Sequence, residues 1–522
     1  RSVGQGLIDA GVPNVGADSP FGDAPFVQSW GRPETSGERI FFNMGTSEDS
    51  SDTSLYAHGG YAETDGRYRF FYRAGYDTDC STGHATIAAL CQEENWVPDT
   101  LRQGYTPFLD GAQKDLTLVA GLKGEMSNGT SYDVSLASGS NELRYFLNNT
   151  TAPSLGVASD GTFQRDFDLG GYDQNEININ ADFGTSLGSD MFLAYGAEWR
   201  EETFTTVPGE QAAIDGDTSG MSSVKPADAG EFSRDNLAFY ADLEHEVSDQ
   251  LFMQYAIRYE DFSDFGSTIN GKVAGRYTVS DALTMRGSLS TGFHAPTPGQ
   301  ANVSTIITTF DGTTGLQVEE GLVRPTSAAA LSVGGAPLKE EESVNMSLGL
   351  TADLTDDATL TFDLYKVAVD DRIYRTGDID KGMGGSLSFY TNALQLEHQG
   401  FDLVLSSSFE LLSGIETNAS LAFNHNTTKI TDQDLINGIQ PVSDSLVEDI
   451  ENNYPENRWV LNTFTNINDQ LSFMARLNFY GEHYDERGTI GAESSPSAKI
   501  DSIVYMDVEL GYDVTDNFRL TA

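Results

Sequence analysis

The sequence predicts an all-β chain folded as a transmembrane antiparallel barrel, and three observations lead there. Apolar and polar residues alternate with period two over long runs, short turns and long polar connections take turns along the chain, and no stretch approaches the roughly eighteen consecutive apolar residues of a membrane helix.

The alternation is plainest in SVNMSLGLT, where Val344, Met346, Leu348 and Leu350 share one face and Asn345, Ser347, Gly349 and Thr351 the other. In VYMDVELGYDV, Val504, Met506, Val508, Leu510 and Tyr512 oppose a face that carries Asp507, Glu509 and Asp513. FMQYAIRYE sets Met253, Tyr255, Ile257 and Tyr259 against Gln254, Arg258 and Glu260, and its tyrosines suit a membrane interface. LTMRGSLS repeats the pattern, with Leu283, Met285 and Leu289 opposing Thr284, Arg286, Ser288 and Ser290. Such runs continue for about ten to fifteen residues, enough to cross a bilayer at a tilt, whereas the strands of a soluble sandwich are shorter.

The connections sort into two kinds. Tight turns fall at 47–52, 127–130, 187–190, 247–250, 279–282, 354–358, 411–414, 468–470 and 514–517. Between them lie long polar segments at about 74–114, 149–165, 207–231, 296–340, 374–393, 431–457 and 485–499, with one tight exception at 261–268. Turns at one rim and long loops at the other are the arrangement of an outer-membrane barrel, here with about eighteen strands. Because the first connection is short, the strand around ERIFFNMGT (38–46) is expected to descend from outside. Residues 1–37 are then mostly an extracellular loop that follows at least one ascending strand, and 38–522 form the barrel. The last strand, beginning at FRLTA, calls for a descending partner after Ala522, since an open edge in lipid leaves backbone groups unpaired.

Composition narrows the function. Asp and Glu number 79 against 30 Lys and Arg, a formal charge of −49, which argues against nucleic acid as a partner. The acid is spread along the chain, as expected of hydrated loops. No apolar run follows Arg1 in RSVGQGLIDAGVPN, so a signal peptide is not expected there, and residue 1 is not expected to be the true start. Cys80 and Cys91, the only cysteines, suit a disulfide that staples a loop in an exported protein.

No catalytic constellation emerges, and no enzymatic activity is expected. His58, His84, His245, His294, His398, His425 and His483 form neither an HExxH nor a close ligand pair. Asp215 and Asp217 in DGDTSG resemble the opening of a calcium loop but lack the later ligands and terminal Glu, so a loop-bound Ca2+ is the one cofactor considered and otherwise none is expected. For ligand contact the candidates are Trp30, Trp96, Tyr105, Phe108 and Tyr390, aromatics in predicted loops, with Arg324 for an anionic group. Packing of loops against one another is the competing account of each. Tyr480 and Tyr484 are assigned to an interfacial girdle.

Five segments, in order, resemble the TonB-dependent outer-membrane receptors. TGFHAPTPGQ (291–300) is similar to the family's Gly-Phe-Arg-Ala-Pro segment, with His294 in place of the arginine, and its prolines and glycines end a strand at the outer rim. LKEEESVNMSLGL (338–350) with LTFDLYKVAVDDRI (360–373), NALQLEHQGFDLVL (392–405), YPENRWVLNTFT (454–465) and YMDVELGYDVTDNFRLTA (505–522) complete the set, which covers about residues 280–522. The resemblance implies an N-terminal plug domain that is not in this chain, a barrel of about twenty-two strands in the complete protein and a location in the outer membrane of a Gram-negative bacterium. It also implies TonB as partner through the missing N-terminal segment, lipid and lipopolysaccharide around the wall, and energised import of a scarce small nutrient such as a siderophore, vitamin, glycan or metal complex. A passive porin or structural barrel is the alternative.

Overall fold

A computed structural model describes residues 33–46, 53–70, 105–155, 158–216, 218–310, 317–380, 386–412, 414–485, 490–493 and 496–522. Ten strands come first: β1 (Glu34–Gly45), β2 (Thr53–Arg69), β3 (Phe108–Glu125), β4 (Ser131–Asn148), β5 (Phe167–Ser186), β6 (Met191–Pro208), β7 (Gly230–Ser248), β8 (Leu251–Phe262), β9 (Gly266–Ser280) and β10 (Leu283–His294). The hairpin strands β11 (Thr305–Phe310) and β12 (Gln317–Leu322) follow within a loop, before β13 (Glu341–Thr355) and β14 (Ala358–Arg375). Short β15 (Ile379–Asp380) and β16 (Ser386–Ser388) precede β17 (Tyr390–Leu412), β18 (Ile415–Gln433), β19 (Asn457–Asn466) and β20 (Leu471–Tyr480). Short β21 (His483–Asp485) and β22 (Ala498–Ile500) lead to β23 (Ile503–Thr515) and β24 (Phe518–Thr521).

Eighteen of these strands form one antiparallel sheet, the number expected from the sequence, and each pairs with the next sheet strand along the chain from β1 to β24. Such a meander needs only hairpin turns, so each predicted tight turn whose residues are described closes one, as at Met126–Thr130 and Leu187–Met191. Among the described residues, no helix is long and apolar enough to cross a membrane.

Register gives the sheet its two faces. Leu136 stands opposite Ile179, Phe239 opposite Tyr259, Leu289 opposite Met346 and Leu348 opposite Leu364, and all eight side chains are exposed. This is the lipid-facing band, because apolar side chains that face away from any protein core require an apolar solvent. The other face is polar. On it Asn141 donates to Asp115, Tyr240 to Asp182, Arg286 to Asp363 and Asn424 to Asp402. Tyr255 and Tyr259 lie on the lipid face as expected, but Tyr480 does not. It pairs with Arg458, whose guanidinium carbon lies 4.8 Å from its ring, on the inner face, while Trp459 and Phe479 stack at 5.4 Å on the outer one.

Three strands begin earlier than the sequence suggested, β1 at Glu34 among them. Phe108 and Tyr390, read as loop residues, open β3 and β17. Above the lipid band both faces of a strand meet water, so the apolar alternation that marks a strand is lost although pairing continues.

Candidate functional site

Where the strands rise above the band, their inner faces carry aromatic rings. Tyr145 and Tyr172 meet edge to face at 6.3 Å, and Tyr172 stacks on Phe204 at 5.6 Å, across β4, β5 and β6. A register shift between Tyr145 and Phe146 helps set this arrangement. It is accommodated by Gly170, whose φ of 83° favours glycine, and by Gly171, where a Cβ would lie 1.9 Å from the Leu143 carbonyl oxygen.

Beside the rings lies a buried ionic network. Arg234 on β7, 5 % exposed, donates to Glu202 on β6 at 2.5 Å, stands 3.8 Å from Asp264 and sits over the Phe262 ring at 5.2 Å. Next to it Arg258 on β8 bridges Glu198 at 2.9 Å and Glu260 at 2.7 Å. Buried charges are tolerated only when paired in this way.

The long connections turn inward onto this wall. After β10, helix α2 (Pro298–Asn302) is started by a capping box between Thr297 and Gln300, and it packs against β6 and β7. Arg234 also donates to the Pro296 carbonyl, and the Tyr172 hydroxyl lies 2.6 Å from Thr305 Oγ1. Thus TGFHAPTPGQ ends its strand and then hooks the following loop onto the neighbouring inner wall.

A second connection, 434–456, contains helix α4 (Asp444–Asn452). Its Leu446, Val447 and Ile450 pack with Leu394, Leu396 and Val442 against Val369 and Ile430, which sit on the inner face of the sheet. Burial, and then the charge of Asp485, holds the Asp449 carboxyl above its ordinary value of 3.8. A third region packs Ala152, Ala213 and Met221 onto Leu147, Phe167 and Leu169, with α1 (Gln211–Gly216) among its elements. The connections after β10 and β14 also share a small sheet, in which β12 runs parallel to β16, over a core of Ala330 from helix α3 (Ala328–Ser332), Leu387, Phe389 and Ile436.

Motif residues clamp the base of the loop after β10. Glu341 accepts from Arg372 at 2.6 Å and from the Ile373 amide at 2.9 Å, and lies 3.8 Å from His294. The guanidinium that Glu341 accepts from is that of Arg372. Arg372 follows a bulge at Asp371, whose φ is 56°, and Asn392 donates both to the Asp371 carbonyl and to that of Lys339.

The predicted contacts separate. Tyr105 is 6 % exposed, with its hydroxyl 2.7 Å from Thr151 Oγ1 and Arg165 over its ring, so it serves loop packing. Phe108 lies under Arg67 and Arg69, and Tyr390 opposes Arg375 at the strand end. Arg324 donates to the Ala227 carbonyl and sits 3.9 Å from Asp228 and over Phe232. Asp215 accepts from Gln211, and among the described residues no group of three or more His, Cys, Asp or Glu is placed to hold a metal ion. Trp30, Trp96, Cys80, Cys91 and Asp217 lie outside the described residues. Structure adds Tyr172, Phe204, Arg234 and Glu202, which the sequence reading passed over. Their shared parity was the available signal, since period two puts all four on the polar face.

Comparison with known proteins agrees with this architecture. The ferric enterobactin receptor PfeA of Pseudomonas aeruginosa superposes with a TM-score of 0.61 at 12 % identity, covering 95 % of this chain and 64 % of that one. The FrpB iron transporter of Neisseria meningitidis gives 0.58 at 10 % identity, covering 92 % and 65 %. The ferric-catecholate import receptor Fiu of E. coli gives 0.56 at 12 %, covering 94 % and 70 %. The chain thus spans just under two thirds of the length of the first two, and identities this low establish the fold alone. No curated protein sequence matches significantly. The sequence profile described as "TonB dependent receptor-like, beta-barrel" matches residues 37–522, and the chain belongs to that family.

Proposed function

We propose that this chain is the wall and mouth of a receptor that imports a scarce small nutrient across the outer membrane of a Gram-negative bacterium, driven by TonB. The observation that carries the reading is the pairing of a polar inner wall with long connections folded onto it above the lipid band, within a chain matched by the family over 37–522. A general pore is served by an open mouth. A receptor needs surfaces that enclose one ligand, and the inward loops with the Tyr145, Tyr172 and Phe204 rings offer them. In the complete protein a plug fills the lumen and its N-terminal segment engages TonB, while the barrel does no covalent chemistry.

The test is uptake by cells that carry the complete protein, with TonB intact or deleted, using 55Fe-chelates, 57Co-cobalamin and labelled oligosaccharides. Import predicts that one class accumulates only when TonB is present. Equal, TonB-independent entry of all of them would favour the passive pore.

A further inference from the structure

The stretch TSGMSS (218–223) sets short hydroxyl residues and a glycine where bulkier side chains would hold backbones apart, and Thr218, Ser219 and Ser223 are buried. Buried backbone donors need partners, and in the mouth they find them on neighbouring connections. The Ser219 amide donates at 2.9 Å to the Thr151 carbonyl, in the connection after β4, and Thr150 Oγ1 donates back to the Ser219 carbonyl at 2.6 Å. Three residues on, the Ser222 amide donates at 3.0 Å to the Ile306 carbonyl, in the connection after β10. That connection reaches so far because β8 and β9 are joined only by residues 263–265, so no long connection stands between it and β6. Its Val323 amide donates at 2.9 Å to the Ser388 carbonyl, beside the parallel pairing of β12 with β16. Gly377, also after β14, donates at 2.9 Å to the Pro441 carbonyl, and Ile436 completes the core that Ala330 and Leu387 share. The connections after β4, β6, β10, β14 and β18 are thus joined in one series.

We infer that these connections open and close as one body, so that an event at one of them is transmitted to the far end of the series. A bond between two segments makes each harder to open alone than after its neighbour has opened, which is the condition for a cooperative unit. A ligand that seats on the Tyr172 and Phe204 rings, where Thr305 meets the Tyr172 hydroxyl, therefore engages the whole series and not one loop.

Amide hydrogen exchange of the complete protein in bilayers tests this, read at Ser219, Ser222, Val323 and Gly377. Leu387→Ala strikes the core shared by the connections after β10, β14 and β18. A concerted mouth predicts that all four amides speed up by a common factor, about tenfold or more, while the wall amides of Leu348 and Leu364 do not change. Met221→Ala, in the core at the other end, should carry its own common factor as far as Gly377, because coupling is reciprocal. A rise confined to Val323 and Gly377 for Leu387→Ala, and to Ser219 and Ser222 for Met221→Ala, would overturn the inference, and so would an equal rise in the wall. Should Leu387→Ala give no folded barrel, Ile436→Val makes the same comparison with a smaller common factor.

Discussion

The lipid-embedded wall and the mouth above it are built on different principles. In the wall, the backbone ladder does most of the specifying. Every strand pairs with its chain neighbour, and side chains have only to keep the right parity between lipid and lumen. In the mouth, the loops are held by small cores and by a few buried contacts such as Arg234 with Glu202 and Pro296. The lesson is that single substitutions should separate the two, loosening the mouth while the wall stays folded, or the reverse.

The largest effect is expected at Arg234. Arg234→Ala leaves Glu202 buried without its partner, a loss of about 3–5 kcal/mol, and releases Pro296. Hydrogen exchange should rise sharply over 296–306, while the unheated protein still runs as a folded barrel on a denaturing gel. Phe389→Ala removes a fully buried ring from the core under the loop sheet and should cost about 3–5 kcal/mol there, read as faster exchange in 386–389 and 328–333. Loss of the folded band in either variant would mean that mouth and wall are one cooperative unit.

The reverse experiment uses two adjacent residues. Leu348 is 53 % exposed on the lipid face, whereas Ser347 faces the lumen and lies 2.7 Å from Ser288 Oγ. Leu348→Arg should cost up to about 2–4 kcal/mol and depress the folded fraction in bilayers, and Ser347→Arg should cost much less. Similar losses at both positions would undo the assignment of faces.

The smallest effect is one of pH. With its carboxyl raised above 3.8 in the folded loop, Asp449 binds more protons folded than unfolded, so docking of α4 weakens as pH rises through the range just above that value. Exchange in 444–452, corrected for intrinsic rates, should therefore accelerate with rising pH, and Asp449→Asn should flatten the dependence.

The same division governs what the sequence reveals. Runs such as Val344 to Leu350 announce both strand and face, because lipid on one side and water on the other impose opposite demands on successive residues. Phe108 and Tyr390 escaped because that contrast ends above the bilayer. Tyr480 was placed in the girdle although its parity, opposite to that of Leu477 and Phe479, puts it inside. Arg234 and Glu202 are each recognisable as inward-facing, but their pairing depends on the register of β6 against β7 and on a loop arriving from Pro296. The motif residues Glu341 and Asn392 were visible as a resemblance. Their role as a clamp, with Glu341 accepting from Arg372 and Asn392 donating to the Asp371 and Lys339 carbonyls, required the fold.

On the function proposed above, this wall and mouth belong to a receptor that is closed at rest and opened by an energised partner. The most direct test is the conductance of the complete protein in a planar bilayer. The account predicts an electrically quiet membrane, whereas a steady ohmic conductance of the untreated protein would contradict it and identify a passive pore.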